Sequence, residues 1–150
     1  MGESLEYFGN TIAKDLYALC MGKKLGRGAS REVFEWRPNM DYVVKVELAN
    51  HSFSNAMEWD VWHRVKETKV AKWFAPCIAI SPCGTILLQK RTDLRAEELY
   101  PKRIPKFFTD TKYGNFGFID DQLVCHDYGI NLLIEHGMKE RMKKADWWSE

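Results

Sequence analysis

The chain has 150 residues, of which 45% are hydrophobic and 29% charged, and its 22 basic and 21 acidic side chains leave a formal net charge of +1. This composition is ordinary for a folded domain and excludes a disordered chain. The balanced charge provides no general attraction to nucleic acid or to an anionic membrane, and the chain has no apolar run of the roughly 20 residues that would span one.

The four cysteines lack the paired spacing of metal sites, and the N-terminal residues do not resemble a cleavable signal. We therefore expect free buried thiols, no zinc and a reducing, cytoplasmic location. Met1-Gly2 is a weak match to a myristoylation signal, because Glu6 stands where Ser or Thr is required.

The first half of the chain alternates helical and strand patterns. Residues 4–20 predict a packing helix, because Leu5, Phe8, Ile12, Leu16, Leu19 and Cys20 recur at helical spacing. Residues 23–36 predict a hairpin whose mobile tip is glycine-rich, and residues 42–46 predict a strand. Residues 52–69 begin with Ser and Asn capping candidates and predict an amphipathic helix. Its expected apolar stripe is Ala56, Trp59, Trp62 and Val65.

The second half predicts shorter elements. Residues 76–89 predict two strands that are broken at Ser81-Pro82-Cys83-Gly84. Residues 96–99 predict a helical turn, and the prolines that follow prevent a long helix. Residues 116–119 and 123–126 flank Asp120-Asp121 and predict a tight hairpin, whereas residues 130–148 predict a helix broken at Gly137. The pattern indicates an α+β fold with a lobe boundary after Lys90.

The predicted hairpin brings polar residues together. With the turn at Asp120-Asp121, Asn115 lies opposite His126 and therefore next to Asp127. An amide oxygen and a carboxylate are ligands that suit Mg²⁺ held jointly with nucleotide phosphates. Asp110 enters the same hairpin, where it could orient an attacking hydroxyl, and Lys112 could neutralise phosphate charge.

These residues resemble motifs of the protein-kinase superfamily. Asp110, Lys112 and Asn115 match the catalytic loop D-x-K-x-x-N, and Asp127-Tyr128-Gly129 matches D-F-G. The segment from Gly26-Arg27-Gly28 to Val33 is similar to the glycine-rich loop G-x-G-x-x-G-x-V, with Arg31 in place of the third glycine. The whole pattern resembles the short kinase-like proteins of tailed bacteriophages.

The resemblance implies a fold and a ligand. The expected fold is a kinase-like N-terminal lobe, with an antiparallel sheet and one helix, over residues 23–92, preceded by a helix over 1–22. Residues 93–150 would form a strongly reduced C-terminal lobe, because Phe107-Phe108-Thr109 replaces the usual His-Arg and no Ala-Pro-Glu motif follows. The expected ligands are ATP and Mg²⁺, the metal being held by Asn115 and Asp127.

The resemblance also implies roles for the N-terminal residues. Lys45 would meet the α- and β-phosphates, paired with Glu58 or alternatively Glu47. Residues 88–91, with Gln89, would form the hinge against the adenine edge, and Ile86 and Leu88 would lie beneath it. An exposed edge-strand Lys45 and a surface Glu58 are the structural alternatives.

Two functions follow from the resemblance. One is an ATP- and Mg²⁺-dependent phosphotransferase in which Asp110 orients an acceptor hydroxyl, for example on a host protein. The other is a pseudokinase that binds nucleotide, or nothing, and grips a partner through the basic and aromatic tail 139–148, although the tail could equally pack across the reduced lobe. A third possibility is a small α+β protein without nucleotide affinity. The oligomeric state is left open.

Overall fold

The computed structural model describes residues 2–48 and 52–150, and within these ranges the chain is an α+β protein. Short 3-10 turns at Lys69–Trp73, Glu97–Leu99 and Tyr113–Asn115 connect the main elements. In chain order, the helices and strands are α1 (Gly2–Cys20), β1 (Met21–Arg27), β2 (Arg31–Trp36), β3 (Tyr42–Glu47), α2 (Ser54–Val65), β4 (Cys77–Ile80), β5 (Ile86–Lys90), β6 (Arg103–Pro105), β7 (Phe116–Ile119), β8 (Gln122–Cys125), α3 (Leu133–His136) and β9 (Met142–Lys144).

Five antiparallel strands form the main sheet, in the order β1-β2-β3-β5-β4. The β-branched run of β3 lies at its centre, where both faces of a strand are covered. Val33 on β2 pairs directly with Lys45 on β3. The predicted hairpin, the predicted strand and the two strands after Pro76 are confirmed, and the alternative of an edge-strand Lys45 is wrong.

Helix α2 is shorter than predicted. It begins at Ser54 after Phe53, whose φ of 57° is left-handed and whose side chain makes no capping hydrogen bond. Of the predicted apolar stripe, Val65 is buried in the core, Trp59 and Trp62 are partly buried against it, and only Ala56 is exposed. The helix also buries two polar residues, Asn55 and Glu58, against the sheet.

Strands β7 and β8 form the hairpin that the sequence predicted. Ile119 pairs with Gln122 across the Asp120-Asp121 turn. The hairpin is tied to the main sheet through the linker after β5, because Asp93 and Phe118 exchange two backbone hydrogen bonds of 2.8 Å. Through this link, strand β7 of the hairpin lies against the linker that follows β5 of the main sheet.

The predicted helix over residues 130–148 is wrong. Helix α3 spans only the four residues Leu133–His136, although the predicted break at Gly137, whose φ is 64°, is confirmed. Strand β9 then pairs with β6, so that Arg103 lies opposite Lys144. A four-residue helix has little stability of its own, whereas pairing satisfies the backbone groups of both short strands.

An aromatic core lies below the sheet. Phe74 packs against Phe107, Phe108 and Tyr128, with ring centroids 5.0–5.6 Å apart. Trp147 extends this core, because it stacks on Tyr113 and meets the edges of Tyr100 and Phe116. The tail 139–148 thus packs against the rest of the described protein. This was one of the two alternatives that the sequence left open.

Helix α1 is present but is not the packing helix that was predicted. Ile12, Leu16 and Leu19 are 57%, 53% and 69% exposed, whereas the side chains of Leu5 and Phe8 lie outside the described residues. Its end is held by Tyr17, whose ring meets that of Phe34 at 6.0 Å. In the described part of the chain, no helix has the length and apolar character needed to cross a membrane.

The four cysteines are free thiols, as expected. Only Cys77 and Cys125 are buried, whereas Cys20 is half-buried and Cys83 is exposed.

Candidate functional site

A cleft of about 440 Å³ lies between the main sheet and the β7–β8 hairpin. Its volume falls in the range of small-molecule sites, roughly 300–1,000 Å³. Four residues predicted to bind a nucleotide line it, and they are Gly26, Val33, Lys45 and Gln89. The remaining lining comes from both sides of the cleft: Leu25, Val43, Lys90, Arg91, Thr92, Asp93, Leu94, Gly114 and His126.

Lys45 is a buried cation at the inner end of this cleft. Its ammonium group lies 2.8 Å from Glu58 Oε1 and also donates to the carbonyl oxygen of His126. The expected pair with Glu58 is therefore present, and Glu47 instead accepts a 2.7 Å hydrogen bond from the backbone N–H of Asn55. Because an ammonium group has three N–H donors, one remains for a ligand in the cleft.

Glu58 on α2 is fully buried and is the centre of a cluster of charged residues. It accepts two hydrogen bonds from Arg31, of 2.8 and 2.9 Å, and one of 3.0 Å from the backbone N–H of Tyr128. Burial alone would raise the pKa of Glu58, but the positive charges of Lys45 and Arg31 outweigh it and hold the pKa at about 2. Glu58 is therefore ionised at neutral pH, and the alternative of a surface glutamate is wrong.

Arg31, at the start of β2, joins three parts of the protein. Besides Glu58, its guanidinium group contacts Asp127 Oδ1 at 2.8 Å and Asn55 Oδ1 at 3.2 Å. Burial opposes its charge, but the carboxylates of Glu58 and Asp127 outweigh this effect and raise the pKa of Arg31 further. Arg31 is thus permanently charged. Its partner Asp127 is one of the two residues that the sequence predicted to bind metal.

Asn55 anchors the first turn of α2 to the sheet. Its amide nitrogen lies 2.9–3.1 Å from the backbone carbonyl oxygens of Lys45, Gly84 and Thr85. The sequence suggested Asn as a capping residue here, but the side chain instead fixes the height of Glu58 above Lys45.

His126 forms the floor of the cleft. Its Nε2 lies 2.7 Å from the carbonyl oxygen of Gly114, so this nitrogen carries the proton, and Nδ1 accepts from the hydroxyl of Thr92 at 2.7 Å. Burial, together with the charge of Lys45, lowers the pKa of His126 to about 4. The ring is neutral at physiological pH and links the floor of the cleft to the linker after β5.

The predicted hinge is only partly in the expected place. Gln89 faces the cleft, and its fully buried amide has no hydrogen-bond partner among the described residues. Ile86 and Leu88 alternate with Leu87 and Gln89 along β5, so they face the opposite side of the sheet. Neither of them lines the cleft.

The predicted catalytic loop lies outside the lining of the cleft. The carboxylate of Asp110 accepts hydrogen bonds of 3.2 Å from the backbone N–H of Lys112 and from the indole N–H of Trp148. The ammonium group of Lys112 lies 2.5 Å from the carboxylate of Glu150. The C-terminal segment thus contacts both residues, although Asp110 stays exposed, and Gly114 is the part of this loop that reaches the cleft.

The predicted juxtaposition of Asn115 and Asp127 is confirmed at the level of the backbone. The N–H of His126 donates a 2.9 Å hydrogen bond to the carbonyl oxygen of Asn115, and Asp127 follows directly. The pair fits Mg²⁺ poorly, however, because Arg31 already occupies one carboxylate oxygen of Asp127. Elsewhere in the described chain, no group of three His, Cys, Asp or Glu side chains is arranged to hold a metal.

The glycine-rich loop makes few contacts, unlike the charged cluster of Arg31, Lys45, Glu58 and Asp127. The N–H of Gly28 donates a 2.8 Å hydrogen bond to the carbonyl oxygen of Arg31, which closes the turn between β1 and β2. A Cβ atom added at Gly26 or Gly28 would meet nothing within 4 Å. Gly26 lines the cleft, whereas Arg27 and Gly28 lie beyond its lining at the tip.

The sequence analysis did not predict the contacts of Arg31, Asn55 and His126 at the candidate site. Arg31 was noted only as a departure from a motif, although a charged residue in place of a glycine was itself a signal. Asn55 and His126 carried no such signal, since their partners are fixed by the packing of α2 and the hairpin.

Comparison with known proteins adds no assignment. No protein-family model matches the chain, and no curated protein matches its sequence.

Proposed function

We propose that the chain is a kinase-like nucleotide-binding protein that holds ATP in the cleft between its main sheet and the β7–β8 hairpin. The observation that carries this proposal is Lys45, a buried cation that lines a ligand-sized cleft and whose contacts with Glu58 and His126 leave one of its three N–H donors over. A buried ammonium group is costly unless an anion meets it, and a phosphate group would complete its coordination.

Two further features support a nucleotide rather than another anion. The glycine-rich turn borders the cleft at Gly26, where backbone and phosphate can approach closely. Leu25, Val33 and Val43 supply the apolar surface on which a flat ring would lie.

The test is thermal stabilisation of the purified protein by ATP, with Lys45→Met as the variant. We expect ATP to raise the Tm of the wild type and to have little effect on that of Lys45→Met, since the methionine keeps the length of the side chain but not its charge. Lys24→Met is the matched control, because Lys24 is a half-exposed surface lysine paired with Glu32. Equal shifts in all three proteins, or none at millimolar ATP, would refute the proposal.

Phosphoryl transfer is the second candidate function. It is favoured by Asp110 and Lys112, which lie on a loop held in place by the buried Phe107 and Phe108. Asp110 would orient the acceptor hydroxyl, and Lys112 would offset phosphate charge. Two contacts would compete with transfer: Trp148 donates to Asp110 Oδ1, and the carboxylate of Glu150 pairs with the ammonium group of Lys112.

Labelled ATP, incubated with the protein and a bacterial lysate, tests this activity. If the chain transfers phosphate, Asp110→Asn abolishes labelling while ATP still stabilises the protein. Labelling that persists unchanged in Asp110→Asn would exclude Asp110 as the catalytic residue. Stabilisation by ATP without any labelling would indicate a pseudokinase.

A further inference from the structure

Arg31 stands where the kinase-like pattern has its third glycine, and it is among the most heavily bonded side chains in the cluster. Its Nη1 atom contacts Glu58 and Asn55, and its Nη2 atom contacts Glu58 and Asp127, at distances between 2.8 and 3.2 Å. The side chain is only 8% exposed. A guanidinium group held by a bidentate carboxylate and two further partners cannot swing away without leaving buried charges unpaired.

The position of Arg31 changes the charge of the cleft. Asp127 is the carboxylate that the sequence assigned to Mg²⁺, and its Oδ1 atom lies 2.8 Å from Arg31 Nη2. The cluster contains two cations, Arg31 and Lys45, and two carboxylates, Glu58 and Asp127, so its charges balance without a metal ion. A divalent cation on Asp127 would be repelled by the adjacent guanidinium group.

A carboxylate near a phosphate-binding site must be neutralised if phosphates are to approach. In a metal-dependent site the cation does this and also bridges the carboxylate to the phosphate. Here Arg31 on β2 neutralises Asp127, whose side chain is 53% exposed. Neither residue belongs to the lining of the cleft, but Asp127 directly follows His126, which does. Lys45 is left to meet the phosphates directly.

We propose that Arg31 is a positioning residue that takes the place of a divalent cation at Asp127, so that the cleft binds ATP without Mg²⁺. This inference rests on the proposed nucleotide-binding function. It assigns Arg31 no contact with the nucleotide, because its partners are Glu58, Asn55 and Asp127.

The decisive experiment compares ATP affinity of the wild-type protein in MgCl₂ and in EDTA, by isothermal titration calorimetry. We expect the two Kd values to agree within about threefold. Binding that is weaker in EDTA by about tenfold or more would overturn this inference and leave the proposed function intact. No binding under either condition would refute the proposed function itself.

Two variants test the role of Arg31 directly. Arg31→Gln keeps hydrogen-bond donors but removes the charge, and we expect its ATP affinity in EDTA to fall by about tenfold and to be restored by MgCl₂. Asp127→Asn removes the carboxylate that needs neutralising, and we expect it to bind ATP in EDTA as the wild type does. A purely structural role for Arg31 would weaken binding equally with and without Mg²⁺, and that outcome, or loss of binding in Asp127→Asn, contradicts the proposal.

Discussion

Glu58 holds the candidate site together at the scale of single residues. It is fully buried and meets two cations and the backbone N–H of Tyr128. We expect Glu58→Gln to lower the free energy of unfolding by about 3–5 kcal/mol, because it leaves Arg31 and Lys45 without their shared counter-charge. Urea unfolding measures this loss, and the exposed Glu67→Gln provides the control.

Glu58 also makes the stability of the protein depend on pH. The pKa of Glu58 is about 2 in the folded protein, against an ordinary value of 4.5. Its contribution to stability is therefore complete above pH 4.5 and is lost as the pH falls from 4.5 towards 2. Over that interval the stability of Glu58→Gln should fall less steeply than that of the wild type, and parallel curves would contradict the assignment.

The site shows which residue pairs a sequence can predict. The pair between Lys45 and Glu58 was expected, because a lysine inside a buried strand needs a carboxylate and the next helix offered one. The contact between Arg31 and Asp127 joins residues 96 positions apart. It depends on where the β7–β8 hairpin docks beneath the sheet, and no local pattern encodes that position.

At the scale of elements, Gly117 on β7 sets how closely the hairpin approaches the linker after β5. A Cβ atom added there would lie 2.7 Å from the Cβ atom of Thr92 and 3.1 Å from the carbonyl oxygen of Asp93. We expect Gly117→Ala to cost about 1–3 kcal/mol of stability, because backbone and side chain must separate to make room. Since Thr92 and Asp93 also line the cleft, ATP binding should weaken as well.

Gly28→Ala is the control for this substitution, because a methyl group there meets no neighbouring atom within 4 Å. Thermal unfolding compares the two variants. If Gly117→Ala is as stable as Gly28→Ala, the hairpin does not depend on this close approach.

Elements with local partners were predicted well. The β1–β2 and β7–β8 hairpins pair across short turns, so alternation and turn residues predicted them. Strand β9 pairs with β6, about 40 positions earlier, and its sequence was interpreted as helical because the partner strand was not visible. Helix α2 was located, but its rotation follows from the contacts of Asn55 and Glu58 with the sheet.

At the scale of the whole molecule, the C-terminal segment serves both the core and the site. Strand β9 pairs with β6, the ring of Trp147 extends the aromatic core, and the indole N–H of Trp148 donates to Asp110. A single short segment therefore contributes to the core and contacts the predicted catalytic loop. Its two neighbouring tryptophans allow these contributions to be separated.

Replacing each tryptophan by alanine should have different consequences. Trp147→Ala removes contacts with Tyr100, Tyr113 and Phe116 and the 2.7 Å hydrogen bond from its indole N–H to the carbonyl oxygen of Pro101. We expect it to lose about 3 kcal/mol of stability in urea unfolding. Trp148 is 44% exposed, so Trp148→Ala should change stability by only about 0.5 kcal/mol.

The second substitution should instead change the contacts of Asp110 and Lys112. Trp148→Ala removes one of the two hydrogen bonds that Asp110 Oδ1 accepts, the other coming from the backbone N–H of Lys112. It also removes the cation–π contact of Lys112, whose ammonium group lies 5.5 Å from the ring centre. If the chain transfers phosphate, labelling should increase in Trp148→Ala and should remain dependent on Asp110. An equal loss of stability in the two variants would show that Trp148 belongs to the core.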